Sequence, residues 1–111
     1  MVAVIFEVVP HRDRRDDYLT IAAELRPRLD QIDGFISIER FESLTQPGKI
    51  LSLSFWRDDA AVAQWRENAE HREAQMFGRS EIFETYRIRV ASVIRESSLT
   101  LEQRSYGPGR N

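Results

Sequence analysis

The sequence predicts an α+β domain of the ferredoxin-like type, with element order β-α-β-β-α-β and two helices on one face of a four-stranded antiparallel sheet. Three observations predict it. Four β-rich runs alternate with two helical stretches in that order. The chain has 111 residues, which fits one domain with one core. Its 41% hydrophobic and 10% aromatic content fills such a core and excludes disorder as the main state. Residues 1–98 form this domain, and 99–111 a tail that either frays or contacts a partner subunit.

Val2–Val9 is β-rich, bounded by Pro10, and reads as the first strand. Asp13, Asp16 and Asp17 then place acids at a helix start, with Asp13 the expected N-cap. Tyr18, Ile21, Ala22, Leu25, Leu29 and Ile32 recur at helical spacing and form one apolar stripe. Pro27 lies inside that stripe without breaking its phase, so a kink is expected rather than an end. Asp33-Gly34 stops the helix. Phe35–Glu42 and Ile50–Trp56 read as a hairpin around the turn Gln46-Pro47-Gly48. Asp58-Asp59 opens a long second helix that reaches about Gly78, and Arg79–Glu84 continues as a short turn. Thr85–Arg95 is the fourth strand.

Alternation along the strands is incomplete. The third strand sets Ile50, Ser52, Ser54 and Trp56 on one side and Leu51, Leu53 and Phe55 on the other. The fourth sets Tyr86, Ile88 and Val90 against Arg87, Arg89 and Ala91, and Arg40 and Glu42 are expected to share the arginine face. A sheet wet on one side alternates cleanly. Two helices cover only one face, so the other is expected to meet a second copy in a two-fold homodimer.

Composition narrows the function. The chain has no cysteine, which excludes disulfides, thiolate-held metals and a thiol nucleophile. Its 16 basic and 18 acidic residues are interspersed, so no nucleic-acid partner is expected. No apolar run approaches the roughly 20 residues of a membrane span, and the short opening run Val2–Phe6 does not resemble a signal-peptide core, so a cytoplasmic location is expected. No phosphate loop or nucleophile elbow occurs. His11 with Asp13 and Asp16 is too sparse a set for a metal.

The second helix carries the most chemistry. Val62, Trp65, Ala69 and Met76 form its core stripe, flanked by Asn68, Arg72, Gln75 and Arg79, with His71 further round. An indole bordered by amides and a guanidinium suits a small-molecule pocket, although a solvated, salt-bridged flank gives the same pattern. His71 has the ordinary pKa range for proton transfer near neutral pH. Trp56 and Tyr86, at the ends of their strands, either cap the core or line a cavity mouth.

Together, the element order, Ile32-Asp33-Gly34-Phe35-Ile36, Leu53-Ser54-Phe55-Trp56 followed by Asp58, and Ala63-Gln64-Trp65 through His71 resemble the antibiotic biosynthesis monooxygenase superfamily of dimeric α+β barrel proteins. The resemblance spans about residues 2–96. It implies a homodimer with a pocket between helices and sheet in each subunit. In some members, O₂ oxidises an aromatic substrate anion without metal, flavin or haem, and the protein orients the substrate and excludes water. On that basis Trp65, Asn68, His71 and Tyr86 are the candidate catalytic residues and Arg72 a candidate substrate-binding residue, joined by Trp56 and Gln75 from their places at the strand end and on the helix flank, and neither cofactor nor metal is expected. Haem-degrading relatives use a first-strand Asn and a His ten residues after the helical Trp. Here the strand reads Phe6-Glu7-Val8 and the later position is Gln75, so haem breakdown is not expected. The leading expectation is a cofactor-independent monooxygenase acting on a small aromatic or quinol-type compound. Its alternatives are a non-enzymatic or stress-associated dimer that sequesters such a compound, a structural dimer with a filled interior and, less favoured, haem binding or breakdown.

Overall fold

A computed structural model describes the backbone of residues 1–76 and 79–100, and their side chains outside 69–80. β1 (Val2–Pro10) leads through a 3-10 turn (Arg12–Arg14) into α1 (Arg15–Asp30). β2 (Phe35–Glu42) and β3 (Ile50–Trp56) form the hairpin, and α2 (Asp59–Met76), α3 (Arg79–Ile82) and β4 (Phe83–Ser92) follow. All pairings are antiparallel and the strand order is β2-β3-β1-β4, the predicted ferredoxin-like arrangement.

Several boundaries differ from the expectation for physical reasons. Asp13 does not cap α1. The chain enters through the 3-10 turn, where the Arg14 N–H bonds the His11 carbonyl at 2.9 Å, and the residue at the cap position is Arg14, which makes no side-chain cap bond. Asp16 and Asp17 supply the negative charge in the first turn. α1 continues through Pro27 to Asp30. Gly34 then adopts φ +97°, and a Cβ there would lie 2.8 Å from the Ala61 Cβ, so glycine serves both the turn and the close approach of α2. β4 starts earlier than Thr85 because Pro10 pairs with Phe83 across a register shift. It stops before Arg95 because its partner runs out: the Val93 N–H reaches the carbonyl of Met1 at 3.0 Å.

Register assigns the faces. Val4 of β1 stands between Ser54 of β3 and Val90 of β4, and Phe6 between Ser52 and Ile88. Ile38 and Arg40 of β2 face the same way, opposite Ser54 and Ser52. Arg40 and Glu42 therefore lie on the helix-covered side, not with Arg87 and Arg89. The bulge between Phe35 and Ser37 shifts the alternation of β2 and turns Phe35 toward Trp56. The opposite side carries Ile5, Leu51, Leu53 and Phe55, all half-buried in the single chain. It also carries Glu7, whose carboxylate meets Lys49 at 2.8 Å and Arg89 at 3.0 Å. The Lys49 hydrogen bond is the main reason that Glu7 is held below the usual carboxylate range.

The core has two buried clusters. Tyr18, Ile21, Leu25, Val8, Ile50 and Ile82 form one, and Leu29, Ile32, Trp56, Ala61 and Val62 the other. Trp65 packs against both. The tail residues 101–111 and the stripe positions Ala69 and Met76 lie outside what is described of the chain and its side chains.

Asp58, expected with Asp59 to open the second helix, caps α2. Its Oδ1 accepts the Ala61 N–H at 3.0 Å and its Oδ2 the Arg57 Nε–H at 3.2 Å. These bonds, the Ala61 N–H first, hold the carboxyl below its ordinary value. A depressed folded pKa stabilises the fold above the unfolded value, about 3.9, and that contribution is lost as pH falls through the folded value. Asp58→Asn keeps a cap but removes the charge. Thermal denaturation across pH is expected to show wild type more stable than Asp58→Asn near neutral pH, with the gap narrowing as the pH falls below the ordinary carboxylate value of about 3.9.

Candidate functional site

The site begins with small side chains. On the helix-facing side of β3, Ser52 and Ser54 lie between the large residues Ile50 and Trp56, and all four are buried. Ala22 of α1 also borders this middle zone. Helices resting on the larger residues at either end leave the middle unfilled, and a cavity of about 160 Å³ lies there between α1, α2 and the sheet. A cavity of about 150 Å³ lined by apolar residues stays dry and holds benzene. This one therefore matches a single-ring compound.

Aromatic rings close both ends. At one, Phe83 makes edge contacts with Phe6 and Tyr18, at centroid distances of 5.8 and 5.6 Å, and Tyr86 lies 5.9 Å from Phe83. At the other, Trp65 lines the cavity and stacks on Trp56 at 6.5 Å. On the β4 side, Tyr86, Ile88 and Val90 line the cavity yet keep 43–46% of their surface exposed. That flank is its open side.

The polar groups are few. Arg40 lines the cavity, half-buried, and its Nε–H donates to the Tyr18 hydroxyl at 3.4 Å. Ser54 Oγ accepts the Trp56 indole N–H at 2.9 Å. Ser52, Tyr86 and Arg66 complete the polar lining, which contains no Asp or Glu among the described residues. Guanidinium, phenol and hydroxyl groups donate hydrogen bonds, so the arrangement favours an oxygen anion on a bound molecule. Among the described residues, no group of three or more His, Cys, Asp or Glu stands ready for a metal, and no helix is long and apolar enough to cross a membrane.

The structure brings together two of the predicted site residues, Trp65 and Tyr86, at one cavity. Trp56 has no accessible surface and stands behind Trp65 rather than in the lining. Asn68 is exposed and absent from the lining, and its Nδ2 donates to the Gln64 carbonyl one turn back at 3.3 Å. The side chains of His71, Arg72 and Gln75 lie outside the described residues. Reasoning from sequence missed Tyr18, Arg40, Ser52 and Ser54. The available signals were the large-small-small-large row on β3 and a charged residue in register with Ser52.

Comparison with known proteins adds the following. The family described as antibiotic biosynthesis monooxygenase matches residues 1–76. A Pyricularia oryzae protein named jasmonate monooxygenase ABM is 53% identical over 93 residues, covering 84% of this chain and 43% of that protein. The Bacillus subtilis protein YqjZ is 35% identical over 63 residues, covering 57% of this chain and 54% of its own length. The chain thus spans about half the length of these relatives. Among solved structures, Rv0793 from Mycobacterium tuberculosis superposes with a TM-score of 0.73 at 20% identity, covering 87% of this chain and 98% of that one. The haem-degrader MhuD from the same organism gives 0.69 at 12% identity, covering 88% and 100%. At these identities the two structures show a shared fold.

The Ser54–Trp56 bond yields a test of how the wall is held. Ser54→Ala leaves a buried indole N–H without its acceptor, an expected loss of about 1–3 kcal/mol in urea denaturation. Ser52→Ala, which removes a hydroxyl bonded to no other described residue, is expected to cost less than about 0.5 kcal/mol.

Proposed function

The chain belongs to the antibiotic biosynthesis monooxygenase family, and from that premise we propose that it inserts one atom of O₂ into a small, electron-rich ring compound held beside Trp65. The observation that carries this reading is the single-ring hollow, walled by Trp65 and Tyr86 and bordered by hydrogen-bond donors, with no carboxylate among the described lining residues. The substrate's anion supplies the electrons. For a hydroquinone, a ring C–H becomes C–OH while the quinol becomes a quinone. One oxygen atom enters the ring product and the other leaves as water. The ring gives up the four electrons that O₂ takes, so the balance calls for no external reductant.

In this scheme the protein's own work is positioning and charge stabilisation. The indole of Trp65 and the phenol of Tyr86 hold the ring, and the donors around Arg40 stabilise the anion. Asn68, His71 and Arg72 enter through the family resemblance, and Gln75 through its place on the same helix flank. Asn68 would exchange its bond to the Gln64 carbonyl for one to the substrate oxygen. The residues that haem-degrading relatives use are missing here, where the first strand reads Phe6-Glu7-Val8 and position 75 is Gln, which supports an oxygenase reading over haem breakdown.

The apolar row Ile5, Leu51, Leu53 and Phe55 supports a second proposal, a homodimer formed through the uncovered sheet face. Sedimentation equilibrium at micromolar protein is expected to give twice the subunit mass of 13.0 kDa. A lone subunit at that concentration overturns the dimer.

The oxygenase reading is tested by O₂ uptake and ¹⁸O₂ labelling with simple hydroquinones, and, with an added two-electron reductant because a single C–H hydroxylation gives up only two electrons, with jasmonate, the compound in the name of the 53% identical relative. One labelled oxygen per product is expected, above the rate without protein. Trp65→Ala is expected to lower kcat/KM by about tenfold or more, since misplacing the ring removes orientation. Bound compound recovered unchanged after aerobic incubation overturns the oxygenase and leaves a sequestering protein.

A further inference from the structure

We propose that Arg40, Tyr18 and Ser52 form an anion-holding end of the cavity, and that the molecule it accepts is a compact apolar acid whose carboxylate lies against Arg40. The proposal rests on reading the cavity as the binding site, but not on the oxygen chemistry.

Arg40 is on the helix-covered face of β2, half-buried, in an otherwise largely apolar lining. A guanidinium in such a place costs desolvation unless it is paired. Other arginines do have carboxylate partners: Arg15 with Glu42, Arg26 with Asp30, Arg57 with Asp33 and Asp58, and Arg89 with Glu7. Arg40 has none among the described residues. Its bond to the Tyr18 hydroxyl uses Nε–H, which leaves the two terminal nitrogens for another acceptor.

Ser52 is directly opposite Arg40 in the β2–β3 register, its residue 7% exposed, and its hydroxyl bonds no other described residue. A planar guanidinium edge and an adjacent hydroxyl together match the two oxygens of a carboxylate. The rest of the lining is mostly hydrocarbon, from Val4 and Ile38 to Ile88 and Val90, with Ser54, Trp65, Arg66 and Tyr86 as its other members that carry polar atoms. The complementary ligand is therefore one ring, or its equivalent in volume, with an ionised acid on a short arm.

The experiment compares phenylacetate with its methyl ester, which share ring and arm but differ in charge. Binding is followed by calorimetry at about pH 7, where phenylacetate is ionised. The acid is expected to bind about tenfold or more tighter than the ester, the range of a charge-assisted hydrogen bond. Arg40→Met keeps an unbranched apolar stem, and is expected to abolish this preference while leaving ester affinity within about threefold. Arg40→Lys, a second variant should the first fail to fold, is expected to retain part of it. Equal affinity of wild type for acid and ester overturns the proposal, as does an acid preference that survives Arg40→Met. If neither probe binds, the cavity reading fails, and the oxygenase proposal with it. If the acid preference holds but no substrate consumes O₂, only the oxygenase reading is lost.

Discussion

Two consecutive helix-facing positions of β3, Ser52 and Ser54, set the constraint from which the rest of this structure follows. Side chains of that size cannot meet α1 and α2 across the usual helix–sheet distance. The helices rest instead on Ile50 with its neighbours at one end and on Trp56 with its neighbours at the other. The core is thereby divided into two clusters, and Trp65 touches both. The hollow is the volume that this division leaves, and its aromatic ends are the cores of the two clusters seen from inside.

The same two serines carry different duties. Ser54 accepts the indole N–H of a fully buried Trp56, so the second indole has a rigid backing against which Trp65 stacks. Ser52 bonds no described neighbour and lies across from Arg40. One serine thus serves the wall and the other faces the space. An Arg–Tyr pair next to the latter gives the otherwise apolar hollow a polar end, so a bound molecule has a direction as well as a place.

Much of the fold was legible because its signals are local. The helical stripe from Tyr18 to Ile32, the Asp58 cap and the hairpin around Gly48 each depend on residues close in sequence. The end of β4 was not legible, since it is set by where β1 begins at the far end of the chain. Arg40 was misplaced for a related reason: the bulge at Phe35 and Ser37 changes which residues of β2 face the helices, and period-two reading cannot see a bulge. Of the candidate site, Trp65 and Tyr86 could be found because aromatic residues at such positions stand out. Tyr18, Arg40 and the serines meet only through pairing between strands and packing of α1, which no short window of sequence contains.

The bare flank along β4 bears on how molecules come and go. Tyr86, Ile88 and Val90 sit on the edge strand β4, and each is nearly half open to solvent. Passage through that doorway asks for rotamer changes in a few side chains, which occur in picoseconds to nanoseconds when exposed, rather than for a hinge that swings in microseconds or longer. Exchange between hollow and solvent is then governed by the affinity of the guest, not by the tempo of the backbone.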